Sequence, residues 1–293
     1  METPAHTRRL TDLPPRNIDW FTQATILFGG FMQQFGWLFF GFGMIFFWAF
    51  FWNSTARFWF TDFGRWEETS GFIILSESTN ASVNDRIVRK YIFQFETEGK
   101  KYTGKAFDTG GGFGMGDEVT VRYRPSNPKN AYIKGMRRAI FPAFTAFVLI
   151  FPLAGLAFIF FNFRQNLKFL DVLKIGEFTR GCVVSKKPTG SEIIINKVRY
   201  PVYKYEFEFS YKDKNYLATC QTHQTQFVED EEREIILFDR FNPDYNIVYD
   251  AMPNAPAINE AGFLEPSPPK SAWVLLMPAF SILAHGWYAW YVS

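Results

Sequence analysis

Charge vanishes from this chain in three long blocks and returns between them in stretches of alternating character. The cleanest block is Ala139–Phe163. Arg137 and Arg138 precede it, Arg164 follows it, and nothing between them is charged. At about 1.5 Å rise per residue a helix of that length extends roughly 37 Å, beyond the ~30 Å of a bilayer's hydrocarbon. Phe, Ile, Leu and Val fill most of it, and each favours insertion at the centre. The pattern predicts a membrane-crossing helix over 139–163 with a kink near Pro152. A re-entrant hairpin is the alternative, and it needs a tight apex inside lipid.

The block Trp20–Ala56 predicts an earlier crossing at 26–52, after a polar N-terminal segment at 1–25. It is longer than one span requires, so tilt or an interfacial end absorbs the excess. Its glycines (Gly29, Gly30, Gly36, Gly41, Gly43) either admit a neighbouring helix or reflect the frequency of glycine in membrane helices. Gln33 and Gln34 are expected to bond a neighbouring helix or to lie near head groups. The third block, 272–293, follows Pro266, Pro268, Pro269 and Lys270 and predicts a third crossing. Trp287, Tyr288, Trp290 and Tyr291 have the composition of an interfacial belt, and His285 beside them reads as facing head groups.

Between the blocks the period changes to two. Tyr205, Phe207, Phe209 and Tyr211 alternate with Glu206, Glu208 and Ser210, as in an antiparallel strand with one dry face. Lys212-Asp213-Lys214-Asn215 then reads as a hairpin turn. The same order occurs earlier, with Tyr91, Phe93 and Phe95, then Glu98-Gly99-Lys100, then Tyr102. Upstream, Gly71-Phe-Ile-Ile matches Gly181-Cys-Val-Val. Downstream, strands at Val119–Tyr123 and Ile235–Phe238 each run into an Asn-Pro turn, Asn127-Pro128 and Asn242-Pro243. The chain thus reads as a repeat of about five strands per copy, suited to a small antiparallel barrel or sandwich. The fold class expected is integral membrane α plus β, with β-domain 1 at 53–138 and β-domain 2, preceded by a juxtamembrane helix, at 164–271. Arg57–Trp66 and Phe163–Lys174 mix aromatic or aliphatic residues with charge and suit helices at the head-group boundary.

These features resemble the bacterial membrane proteins grouped as domain of unknown function 3592, present here as two tandem copies. Carrying the resemblance are the helix, the Gly-led first strand (Gly71, Gly181), the Tyr/Phe strand, and Tyr102 or Tyr216 after the turn. The run Val121-Arg-Tyr-Arg-Pro-Ser-Asn-Pro128 and its counterpart Ile236-Leu-Phe-Asp-Arg-Phe-Asn-Pro243 complete it. The second run departs from the Tyr-x-Pro pattern, with Phe238-Asp239-Arg240. The resemblance implies a membrane anchor and a fold, and no catalytic residues.

Composition narrows function by exclusion. Net charge is +2, and no Lys/Arg run is long enough to track a phosphate backbone, so no nucleic-acid partner is expected. Two cysteines and three histidines make neither a disulfide framework nor a zinc ribbon. Gly110–Gly116 imitates a phosphate loop, but Asp117-Glu118 and a strand follow it where Lys-Ser/Thr and a helix are needed. It reads as a strand connection. Cys220 and His223, with Cys182, invite a metal or thiol reading, yet in an extended chain residues three apart face opposite ways. Glu229-Asp-Glu-Glu232 reads as a solvated loop rather than a cation site. No catalytic, cofactor-binding or metal residue is assigned, and no cofactor is expected.

Sidedness is nearly a tie. Arg8, Arg9, Arg16, Arg164, Lys168, Lys174 and Lys270 would lie on one side, and Arg57, Arg65, Lys129, Lys134, Arg137 and Arg138 on the other. A cytoplasmic N-terminus, with the first domain outside and the second inside, keeps both cysteines in a reducing compartment. The expected location is the bacterial inner (plasma) membrane, multi-pass. The expected function is non-enzymatic: a scaffold or interaction protein presenting β-domains at the bilayer to a membrane or soluble protein partner, or to further copies of itself. The alternative is a subunit of an oligomeric transporter or channel.

Overall fold

The computed structural model describes residues 9–60, 63–229 and 232–292. Arg8, Asp62, Asp230, Glu231 and Ser293, which entered the reading above, lie outside the described residues. The chain forms two compact units, Phe39–Ala154 and Met1–Leu38 with Gly155–Ser293.

The apolar blocks are helical, but their bounds differ from those expected. Helix α1 (Trp20–Leu27) is N-capped by Asp19, whose Oδ1 accepts the Thr22 N–H at 2.9 Å. It stops at Phe28–Gly30, where Gly30 has φ +89°, and α2 (Phe31–Phe46) then begins and continues into a π-helical turn at Phe47–Phe51. The break falls near the start of the crossing expected at 26–52, and the continuous apolar segment runs from Phe31 to Phe51. Side chains from distant segments take the carbonyls at the break. Asn166 Nδ2 donates to Leu27 O and Gly29 O at 3.0 and 3.2 Å. Asn254 Nδ2 donates to Thr25 O at 2.8 Å. Gln34 Nε2 donates both to Phe28 O and to Val274 O, so this glutamine does bond a neighbouring helical segment.

A 3-10 turn at Ala143–Leu149 leads into α3 (Ile150–Ile175). The change of helix type falls just before Pro152, whose missing N–H lies in the first turn of α3, where it needs no partner. Helix α3 also absorbs Phe163–Lys174, which is thus no separate juxtamembrane helix. The connector at Arg57–Trp66 forms only a 3-10 turn, Thr55–Phe60. A last 3-10 turn, Pro269–Leu275, opens α4 (Leu276–Val292). Among the described residues three segments are long and apolar enough to cross a membrane: Phe31–Phe51, Ala143–Ile175 and Pro269–Val292.

Two glycines of α2 serve packing. A Cβ on Gly43 would stand 2.5 Å from the Pro152 backbone nitrogen, and one on Gly36 would stand 3.0 Å from that of Ile159. Backbone therefore meets backbone along α3, the close approach that small residues permit.

In the unit Phe39–Ala154, β1 (Glu67–Val83), β2 (Arg86–Thr97), β3 (Lys100–Asp108), β4 (Glu118–Arg124) and β5 (Asn127–Ile133) form one antiparallel sheet in the order β3-β2-β1-β4-β5. Two-residue turns with positive φ, Asn84-Asp85 and Glu98-Gly99, join the first three strands, and the right-handed strand twist favours such turns. Three hairpin-linked strands with the fourth beside the first make a Greek key. Edge strands β3 and β5 approach each other, so the sheet curls rather than stacking as a sandwich. Tyr91, Phe93, Phe95, Val121 and Tyr123 fill its concave face.

In the other unit, β6 (Glu177–Ile195), β7 (Val198–Tyr211), β8 (Lys214–Thr222), β9 (Glu234–Asp239) and β10 (Asn242–Val248) take the corresponding order, β10-β9-β6-β7-β8. Asn196-Lys197 and Lys212-Asp213 supply the tight turns. The registers also correspond. Each first strand slips past its partner at the same place, between Ile73 and Leu75 and between Val183 and Ser185. The Asn-Pro pairs do not form the final turns, as expected, but open the edge strands β5 and β10. There a residue without an N–H costs little.

In the N-terminal segment expected to be merely polar, the described residues 9–19 form a strap. Leu10 and Ile18 join a core with Leu170, Leu173, Leu237 and Tyr249. Arg16 is 3 % exposed. Its Nη1 donates to Leu173 O (3.0 Å) and Gly176 O (2.7 Å), and its Nη2 to Leu10 O (2.6 Å). One guanidinium thus takes carbonyls that α3 leaves open at its C-terminus, where a cation is also favoured by the helix dipole.

Candidate functional site

An open cavity of about 440 Å³ lies at the foot of the first sheet. Its lining includes Arg57 and Phe58 just after the first apolar helix, Lys105 on β3, Lys129 and Asn130 on β5, and Arg138 before the 3-10 turn of α3. Local pairing fixes the floor. Phe141 N–H donates to Asn53 O at 2.9 Å, and Thr55 N–H donates to Phe141 O at 3.0 Å. The segment leaving one apolar helix is thereby stitched to the segment entering the next.

Two guanidinium groups share one ring. Arg57 lies 4.5 Å and Arg138 3.9 Å from the Phe58 centroid, and Arg138 also reaches Trp66 at 5.1 Å. Arg138 Nη2 donates to Asn130 Oδ1 at 2.6 Å, and Arg57 Nη1 to Trp52 O at 3.0 Å. Burial lowers the Arg57 pKa, and the charge of Arg138 lowers it further. Among the described residues the lining holds four cationic side chains and no carboxylate. Arg57 and Arg138 are half-buried and held by these bonds, while Lys105 and Lys129 stand exposed at the rim, so the lining offers an anion cationic donors.

The residues singled out from sequence do not converge. Gly110–Gly116 joins β3 to β4, and carboxylates already occupy its amides. Gly110 N–H donates to Asp108 Oδ2 at 2.8 Å and Gly114 N–H to Asp117 Oδ2 at 2.7 Å. Cys182 pairs across β6–β7 with Glu208, whereas Cys220 pairs across β7–β8 with Tyr205. A whole strand separates the thiols, and both are free. Cys220 packs against the sheet core, and burial, with Glu234 nearby, pushes its pKa up to about 12. His223 instead lies edge-on to Tyr200 at 6.4 Å. Among the described residues no His/Cys/Asp/Glu group could hold a metal ion.

Glu229 is no free loop acid. Its Oε1 accepts from Lys186 Nζ and from the buried Tyr205 hydroxyl, both at 2.6 Å. The Lys186 bond, then the Tyr205 bond, holds its carboxyl below the usual range.

Residues 69–137 match the family model described as domain of unknown function, DUF3592. The match covers the first sheet and ends beside Arg138. No curated protein matches the chain. A solved structure titled as a replication protein A heterotrimer bound to ssDNA aligns with 60 % of this chain at 7 % identity. It does so with a TM-score of 0.18 over 44 % of its own length, and no argument rests on it.

In the sequence Arg57, Lys129 and Arg138 read only as charges flanking apolar blocks, and Lys105 carries no signal of its own. The flanking pattern was the available signal. Their convergence comes from the curl that brings β3 towards β5.

Proposed function

We propose that this is a multi-pass membrane protein that presents two small β-domains at the bilayer surface and serves as a scaffold for a protein partner or for further copies of itself. The observation that carries the reading is the alternation of three apolar helical segments with two five-stranded sheets. On this reading each sheet is a partly open Greek-key barrel of OB type, the two are tandem copies of the matched domain, and the location is a bacterial inner membrane. Neither a reaction nor a nucleic-acid partner belongs to it. The alternative, a subunit of an oligomeric transporter or channel, has less support, since Gly36 and Gly43 pack against α3 of the same chain.

Crosslinking in native membranes followed by mass determination tests the scaffold. A stoichiometric partner or a defined homo-oligomer is expected, and a lone monomer at native abundance would overturn it. Exposed Cys182, rather than core-packed Cys220, is the residue to label with an impermeant maleimide for sidedness. Labelling only after permeabilisation is expected for a cytoplasmic second domain.

A further inference from the structure

We propose that the cavity between Arg57, Lys105, Lys129 and Arg138 binds a phosphate-bearing anion. Four cations and the Asn130 amide surround one space with no described carboxylate in its lining. Bringing Arg57 and Arg138 onto the same Phe58 ring sets like charges together in a partly buried place. Guanidinium forks match phosphate oxygens. Asp108 acts on the neighbouring Arg137 but is engaged by Gly110 N–H and does not line the space.

Position narrows the source. Asn53 and Arg57 follow the segment Phe31–Phe51, and Ile140 precedes Ala143–Ile175, so the floor lies at the ends of two apolar helices. Trp52, Phe58 and Trp66 beside the arginines are residues favoured at head-group depth. The favoured ligand is therefore an anionic phospholipid head group, and a soluble phosphate compound is the same chemistry from the other side. The lipid source rests on the membrane reading above, whereas anion binding itself does not.

The test uses the full chain in uncharged detergent, with native mass spectrometry and thermal melting as readouts. Short-chain phosphatidylglycerol, short-chain phosphatidylcholine and inorganic pyrophosphate are the probes. Phosphatidylglycerol is expected to bind and to raise the melting temperature, with phosphatidylcholine at least about tenfold weaker. Arg57→Gln with Arg138→Gln should weaken binding by about tenfold or more, while Arg86→Gln with Arg89→Gln, exposed on β2, should leave it unchanged. If the first pair fails to fold, Lys105→Gln with Lys129→Gln at the exposed rim should still weaken binding. Pyrophosphate binding without lipid selectivity supports the anion site and overturns the lipid source. No preference for either phosphate probe over phosphatidylcholine, or equal loss in the Arg86/Arg89 control, overturns the site itself. Neither result bears on the protein partner, which the crosslinking experiment reads separately.

Discussion

The two sheets share a strand order, a register slip and their hairpin turns, yet differ in what backs them and in how one buried hydroxyl is treated. Strand β4 of the first sheet buries alternate residues, Val119, Val121 and Tyr123. Strand β9 of the second buries both faces, with Ile236 and Phe238 in the sheet core and Leu237 in the core made with α3 and the strap. At the centre of each sheet stands a fully buried tyrosine. Tyr205 gives its hydroxyl to Glu229, which Lys186 also holds. Tyr91 lies opposite Ser76 where Tyr205 lies opposite Lys186, and its hydroxyl has no hydrogen-bond partner among the described residues. In place of Glu229 the glycine-rich loop offers Phe113, edge-on to Tyr91 at 6.2 Å. One backbone plan thus tolerates two ways of closing its end, one ionic and one aromatic.

The largest effect tests whether the cores are equivalent. Phe93 and Phe207 are both fully buried in the middle of their sheets. Truncating either to Ala should cost about 3–5 kcal/mol. Hydrogen exchange should show the loss in β2 for Phe93→Ala and in β7 for Phe207→Ala. Loss of protection in both sheets from one substitution would break the comparison, because the sheets would then open as one.

Next comes the backing that only the second sheet has. Arg16→Met leaves the Leu173, Gly176 and Leu10 carbonyls without their charged donor, at a cost of roughly 3 kcal/mol. Faster exchange is expected in β9 and at the end of α3, with β4 unchanged. Unaltered exchange in β9 would show that the strap is not needed.

Much of this plan was legible because its signals are local. Absence of charge marks the apolar helices, and period two with turn residues marks the strands. What was hidden depends on residues far apart in sequence. Phe28–Gly30 breaks because Asn166 and Asn254 take carbonyls there. Arg16 looked like one more charge in a polar leader because its acceptors lie at positions 173 and 176. The basic cavity escaped notice for the same reason, since its rim lysines come from strands that meet only when the sheet curls. Glu229 reads as solvated in the sequence because nothing near it there announces Lys186 or Tyr205.

A smaller effect concerns the hydroxyls alone. Tyr205→Phe should cost about 1 kcal/mol by removing a bond to a charged acceptor. Tyr91→Phe should be neutral or slightly stabilising, since it removes a buried group that has no partner. Thermal melting of the two variants against the parent distinguishes them. A clear loss from Tyr91→Phe would mean that the two sheets handle this position alike.

The smallest effect is the pH signature of the same contrast. Folding lowers the Glu229 pKa below its ordinary 4.5 through Lys186 and Tyr205, so its contribution is present above 4.5 and fades as pH falls through the depressed value. Lys186 moves the other way. Its pKa is raised above 10.5 chiefly by Glu229, so its contribution is full below 10.5 and fades as pH rises through the raised value. The Lys186–Glu229 pair is more than a third exposed on each side, which limits it to about 1 kcal/mol or less. The melting-temperature gap between the parent and Glu229→Gln should therefore be open above pH 4.5 and close as pH falls through the depressed value. A gap that stays constant on acidification would mean that the glutamate acts through its shape rather than its charge. The ionic closure of the second sheet would then differ from the aromatic closure of the first in composition but not in physics.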